Sequence, residues 1–268
     1  MLGLFFRTVV LVGLFSSFAA AADMPVKAPI PAAVPIYSWS GFYIGGHAGY
    51  GWGEPDSTVD FNDPVFAEGP ILPAAPASYS KTVDGFIGGG QLGWNYQIGS
   101  FVAGLEADIS YADIKGGASA AGPLLPPFIT TFAYSESQSL KWFGTVRGRL
   151  GYTPTSNWLL YATGGLAYGE VQAQTHLVFF DILGATSARY QGAGSETNLG
   201  WTIGGGAEVA FAGNWSVKLE YLYYDLGTVT VAGIRTPALP ALFTVNDQDV
   251  NGHIVRFGFN YRFGHGAR

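Results

Sequence analysis

Ten charged side chains stand at strand-like spacing among apolar neighbours: Glu106, Asp108, Lys141, Arg147, Arg149, Glu208, Lys218, Glu220, Arg256 and Arg262. Brought to one place, such groups can neutralise one another as a buried network. They can also line a narrow aqueous path and select ions by charge. Six bases against four acids leave a line of this kind at +2, which favours anions mildly. Hydrolysis needs a nucleophile held by a base. No Ser stands within a few residues of His47, His176 or His253 in a recognisable pattern. These histidines and His265 lack metal-ligand spacing, and the chain has no Cys, so no cofactor is expected. Haem or metal capture by His176 and His253 is retained as an alternative on their positions between the strands.

The elements that carry these groups alternate with period two. Val255, Phe257, Phe259, Tyr261 and Phe263 share one face; Arg256, Gly258, Asn260 and Arg262 share the other. A strand separates these sets and a helix mixes them. The pattern recurs over 42–52, 86–96, 101–111, 140–152, 158–168, 199–209 and 215–223, making eight strands. All ten charges fall on the polar face. Three links are tight (97–100, 153–157 and 212–214) and four are long (53–84, 112–139, 169–196 and 225–250). Short turns on one side and long loops on the other describe an all-β, eight-stranded antiparallel transmembrane barrel. Its ends would be periplasmic and its long loops extracellular.

A soluble barrel would alternate too, with its apolar face inward. The aromatics argue against it. Trp94, Tyr96, Tyr152, Trp158 and Trp215 stand at the short-turn ends of the apolar face. Trp52, Trp142, Tyr168 and Tyr223 stand at the long-loop ends. Two aromatic bands around an aliphatic middle match the girdles at bilayer interfaces. The composition agrees: 15% aromatic, 12% charged and 39 Gly. A net charge of −6 argues against nucleic acid as a partner.

Arg7 and the apolar run 8–18 end in Ala19–Ala22, which reads as a signal peptide over 1–22. Pro25, Pro29, Pro31 and Pro35 make 23–38 an extended periplasmic linker. The barrel follows over 39–263, and 264–268 form a short tail. An eight-stranded barrel is just wide enough inside for its own side chains, which favours the paired network over the pore. The first long link carries Glu54, Asp56, Asp60, Asp63 and Glu68, read as a solvated face. The apolar segments 177–180 and 238–243 are read as strand extensions, with adhesion as the alternative.

The pattern Gly-Phe-x-x-Gly-Gly-x-x-Gly-aromatic occurs at Gly41–Tyr50 and returns at Gly85–Trp94. With Ser38-Trp39-Ser40 before it, this segment resembles the barrel start of alphaproteobacterial outer-membrane proteins. These are the major surface antigens and porin-family proteins of brucellae and rhizobia, related to opacity proteins and the OmpA barrel. Arg256, Gly258, Tyr261 and Phe263 match the family's terminal assembly signal, although this chain continues past Phe263. The resemblance implies a surface-exposed barrel with a structural role in the envelope and weak porin activity. It implies outer-membrane lipid, lipopolysaccharide and the barrel-assembly machinery as partners. An adhesin or haem-binding protein working through the loops, with host surface or haem as partner, is the alternative; an outer-membrane lipid hydrolase is a third. Nothing resembles a trimeric porin interface, so a monomer is expected.

Overall fold

A computed structural model describes residues 37–61, 78–123, 131–181, 183–236 and 243–263. The expected signal peptide, most of the linker, Asp63 and Glu68, 238–242 and the 264–268 tail lie outside the described residues. The strands are β1 (Gly41–Gly53), β2 (Asp56–Phe61), β3 (Ser78–Ser80), β4 (Thr82–Ile98) and β5 (Phe101–Pro123). They continue with β6 (Thr131–Thr155), β7 (Trp158–Phe180), β8 (Thr186–Ala212), β9 (Trp215–Thr236) and β10 (Phe243–Phe263). All neighbours pair antiparallel in the order β1-β4-β5-β6-β7-β8-β9-β10, and β10 pairs back to β1. The ring therefore has eight members. β2 carries β1 upward beside β10, β3 pairs with β2, and the two interruptions meet where Lys81 N donates to Pro55 O at 3.2 Å.

The tight links are two-residue turns, and Gly99 and Gly213 take positive φ in two of them. This suits the right-handed twist of a hairpin. The four long links differ from the expected loops, because most of their described residues are strand; the segment 177–180, read as a strand extension, is strand at the end of β7. β8 alone runs for 27 residues. At about 3.3 Å per residue and a tilt near 40°, it rises roughly 70 Å along the barrel axis. The apolar band of such barrels is only about 25 Å tall. The barrel wall continues well past the upper aromatic band.

The reason these strands escaped a pattern reading lies in their alternation, which inverts above that band. Leu177 and Phe179 are buried inside, whereas Gln174 and His176 are exposed outside. Two bulges also break the phase. In β6, Leu140 pairs with Val171 and Trp142 with Glu170, so Lys141 is an extra residue. In β9, the pairing shifts near Gly227, which has positive φ. Leu140, expected to face lipid, is consequently inside.

The interior is layered, and β6 displays the layers in order. From the turn upward its inward residues are Arg149, Arg147, Thr145, Phe143, Leu140, Gln138, Glu136, Tyr134 and Phe132. Below Arg149 lies a floor of Trp39, Val102, Leu159 and Ala210. Above the charges sits an apolar layer including Ile87, Phe143, Leu222, Val229 and Ile254. A small polar layer follows, around Lys81 and Glu136. An upper apolar cluster including Phe132, Leu177 and Phe179 closes the sequence.

Candidate functional site

The polar stretch of each lower strand delivers its charges to one belt inside the wall. Alternation places them, and inward glycines admit them. A Cβ at Gly49 would lie 2.7 Å from Arg256 Cβ, and one at Gly258 would lie 3.1 Å from Lys218 Cγ. Glu106, Asp108, Arg147, Arg149, Glu208, Lys218, Glu220 and Arg256 are all buried.

Arg147 is the hub. Its Nη2 meets Glu106 Oε1 at 2.5 Å and Asp108 Oδ2 at 3.1 Å, while Nη1 meets Glu220 Oε1 at 3.1 Å. Arg256 donates from Nε to Glu220 Oε2 at 2.6 Å and from Nη2 to Asp108 Oδ2 at 2.9 Å. Lys218 Nζ donates to both Glu106 oxygens, at 2.8 and 2.9 Å. Arg149 pairs with Glu208 and stacks on Tyr161, 3.6 Å from the ring centroid. Hydroxyls fill remaining acceptor positions: Tyr43 donates to Glu106 at 2.7 Å and Tyr161 to Glu220 at 2.9 Å. The belt thus holds four acids and four bases, a sum of zero.

Two of the ten sequence-selected charges stand elsewhere. Lys141 is the bulge residue and is only half-buried, outside this set of ion pairs. Arg262 lies in the floor. Its Nη1 donates to Ser38 O at 2.6 Å, and its guanidinium lies 4.8 Å from the Tyr37 ring centre and 4.7 Å from that of Trp39. The expected +2 interior is therefore corrected to neutrality in the belt. The bulge removes one charge and the floor sequesters the other.

Trp39 was not singled out by sequence as a site residue. It is wholly buried, donates from its backbone N–H to Gln97 Oε1 (2.8 Å) and from Nε1 to Ser156 O (3.1 Å). It corks the short-turn end of the barrel, with Tyr37 edge-on against it. Tyr37 and Ser38, counted with the linker, already belong to this floor. The available signal was Trp39 itself, a Trp beside a linker with no alternation to explain it.

His47 also meets a hydroxyl that sequence spacing did not pair with it. Its Nε2 is 2.7 Å from Ser110 Oγ and 3.4 Å from Arg256 Nη1; its Nδ1 is 3.1 Å from Gln91 Oε1. Arg256 can only donate, so Nε2 accepts and Nδ1–H donates to Gln91. This Ser–His contact has a carboxamide where a hydrolase has an orienting carboxylate, and it lies buried within the belt. His176 and His253 are not brought together: both face outward, on β7 and β10. His253 sits among Trp52, Tyr221 and Tyr223. Among the described residues, no group of three or more His, Asp or Glu could hold a metal ion.

The aromatic bands lie on the outer wall. Trp94, Tyr96, Tyr152, Trp158, Trp215 and Trp52 are exposed there, with Trp142, Tyr168 and Tyr223 half-buried beside them. Of the terminal motif, Arg256 and Gly258 point inward and Tyr261 and Phe263 outward.

Comparison with known proteins agrees with this architecture. The family described as "Outer membrane protein beta-barrel domain" matches residues 8–263. The "31 kDa outer-membrane immunogenic protein" of Brucella melitensis is 37% identical over 257 residues, covering 93% of this chain and 95% of the relative. The "22 kDa outer membrane protein" of Rhizobium leguminosarum bv. viciae is 30% identical over 210 residues, covering 76% of this chain and 69% of the relative. Among solved structures, the outer membrane protein OprG of Pseudomonas aeruginosa aligns with a TM-score of 0.47 at 16% identity, covering 84% of this chain and 97% of that one.

Proposed function

This chain belongs to the outer-membrane β-barrel family, and on that premise we propose that it is a closed, surface-exposed scaffold of the outer membrane. The observation that carries this is the interior. A solute entering from outside would cross an apolar cluster, the Lys81–Glu136 layer, a second apolar layer, the ion-paired belt and the Trp39 floor. Apolar constrictions oppose ion passage by dewetting, and two of these layers are built mainly of apolar side chains. Weak porin activity, the companion reading, would require several layers to part together.

The scaffold is not an enzyme on this reading. The Ser110–His47 contact is enclosed within the buried belt. The partners are membrane lipid, the glycolipid of the outer leaflet and, through Arg256, Gly258, Tyr261 and Phe263, the assembly machinery. Display is the second role, favoured by the wall that continues above the bilayer. That wall would hold adhesive or host-facing segments away from the lipid.

Conductance of the refolded protein in a planar bilayer tests the closed interior. Folded protein is expected to give silent bilayers, and Trp39→Ala is expected to leave them silent because four layers remain. Discrete, reproducible steps from the unaltered protein would overturn the proposal.

A further inference from the structure

The four buried acids of the belt are matched by its four bases, and Arg262, also buried, is a fifth base beneath them. It forms no ion pair with an acid among the described residues. Glu208 is taken up by Arg149, Ser216 and Asn260. With His47 in its neutral form, the lower interior is left with one positive charge in excess. An unpaired buried charge is heavily penalised. The rings of Tyr37 and Trp39 beside the guanidinium ease that penalty but leave one edge of it open.

That edge has a definite geometry. Arg262 spends Nη1 on Ser38 O, while its Nε and Nη2 are buried without a hydrogen-bond partner. These two nitrogens form the side of a guanidinium that grips an anion with two parallel N–H groups. The side chain runs over Gly41, where a Cβ would lie 3.7 Å from Arg262 Cγ and 3.8 Å from Cδ. Gly41 pairs with Asn95, which is wholly buried with neither Nδ2 nor Oδ1 bonded. The same inward row passes from Asn95 through Gly104 to Arg149, whose Nε is also without a partner. Tyr37 Oη, on the ring against Arg262, is a further buried polar atom with none.

Donors dominate this set. Three guanidinium nitrogens and an amide nitrogen stand against a single amide oxygen, and the hydroxyl can serve either way. Water could meet some of these donors, but it would leave the excess charge in place. A doubly charged anion would overshoot that charge. A small, singly charged anion answers both the open donors and the excess cation.

We propose that the row between the belt and the Trp39 floor is a binding site for one small monovalent anion of the size of chloride, gripped by the Nε and Nη2 edge of Arg262 and by the Asn95 amide. The ion completes the neutrality of the lower interior. It also ties the last strand to β4 and to the segment that precedes β1. Enclosed by the belt on one side and Trp39 on the other, it is a part of the folded barrel and not a permeating species.

The test is to refold the protein from urea into detergent in sodium gluconate, chloride or bromide, at one pH and one ionic strength. Refolding lets the ion enter before the floor closes, and fixed ionic strength removes general screening. Stability against urea is expected to rise saturably as chloride replaces gluconate. Above half-saturation the folding equilibrium constant should rise about tenfold per tenfold increase in chloride, the slope for one bound ion. Asn95→Asp puts a carboxylate into the site, so this variant is expected to fold stably in gluconate and to lose the response to chloride. Arg262→Met is expected to lose the response as well. Crystals of bromide-refolded protein are expected to show an anomalous peak within hydrogen-bond distance of Arg262 Nε and Nη2, absent from Asn95→Asp. No saturable response, an undiminished response in Asn95→Asp, or bromide-refolded crystals without a peak at Arg262 each overturns the site. Ordinary water density in place of the peak would assign the open donors to water.

Discussion

Below Lys141, the inward residues of β6 include Arg149, Arg147 and Thr145, with Phe143 next to the bulge, and its outward ones include Leu150 and Val146. Above it, the inward residues include Leu140, Tyr134 and Phe132, and the outward ones Ser137 and Ser135. One strand thus contains an inside-out half and a conventional half. The difference follows from the medium outside the wall. In lipid, apolar side chains gain nothing by turning inward, so the interior is left to polar groups that satisfy one another. In water, apolar side chains turn inward and the lumen becomes an ordinary core. The two halves should therefore fail differently when a buried group is removed.

The lower half should be the more sensitive. Arg256→Met removes the partner shared by Glu220 and Asp108 and leaves carboxylate charge buried beside an apolar side chain. Breaking a buried pair from one side costs about 3–5 kcal/mol. Urea unfolding in detergent, followed by the loss of gel mobility shift on heating, would measure it. A change below about 1 kcal/mol, the scale of a surface pair, would mean that water screens the belt and would erase the contrast.

In the upper half the corresponding lesion is a cavity. Leu177→Ala empties part of the upper apolar cluster, where Leu177 is buried. The expected loss is about 2–5 kcal/mol, set by how far neighbours collapse. The sharper comparison is with salt. Unfolding of Arg256→Met relative to the unaltered protein should respond to ionic strength, and that of Leu177→Ala should not. Identical salt dependence would show that the layers are not distinct in kind.

How much of this was legible in the sequence divides along the same line. The lower strands were readable because outward Phe, Leu and Trp alternate with inward charge, as at Val255–Phe263. The upper strands obey alternation too, but with the faces exchanged, so a reading that follows the outward apolar stripe stops where that stripe ends. Lys141 adds a second obstacle. One extra residue reverses the phase of everything before it, and spacing alone cannot tell a bulge from a loop. The site was legible as a set of residue types, since eight of the ten selected charges gather in the belt. Their partners were not, because Arg147 meets Glu106 across the β5–β6 ladder and Glu220 across the barrel interior rather than by proximity in sequence. The Lys81–Glu136 pair, 55 positions apart, was hidden for the same reason.

That pair supplies a smaller effect. Burial holds the Lys81 ammonium below its ordinary value of 10.5, against the opposing pull of Glu136. Between the folded and unfolded values the unfolded chain binds more protons, so this group makes stability rise with pH there. The gain is absent below the lowered folded value and complete above 10.5. Protease resistance of the extension in intact vesicles should therefore increase toward alkaline pH, and Lys81→Met should flatten the trend. A resistance that falls with pH in the unaltered protein, restored by Lys81→Met, would reverse the sign and place the stabilising charge at Lys81 itself.

The smallest effect concerns backbone rather than side chains. The β8–β9 ladder is continuous from Trp201 to Val209 against Asp225 to Val217, in the membrane half. Above it, 192–200 of β8 have no ladder partner in 226–233 of β9, although β8 remains paired to β7 and β9 to β10 throughout this stretch. The two strands still touch: a Cβ on Gly194 would lie 3.8 Å from a Val231 methyl. Contact without a continuous backbone ladder, bridged by Asn198 Nδ2 donating to Leu226 O at 3.3 Å, is tolerable in water and very costly in lipid, which explains why the interruption begins directly above Trp201 and Tyr223, a tilted aromatic pair of the upper band. Local opening should therefore concentrate at this seam. Amide hydrogen exchange in vesicles should be faster for the β9-facing amides of 192–200 than for those of 201–209. Faster exchange in the lower segment instead would mean that the aqueous half is the rigid one, and that apolar packing holds this wall together better than the membrane does.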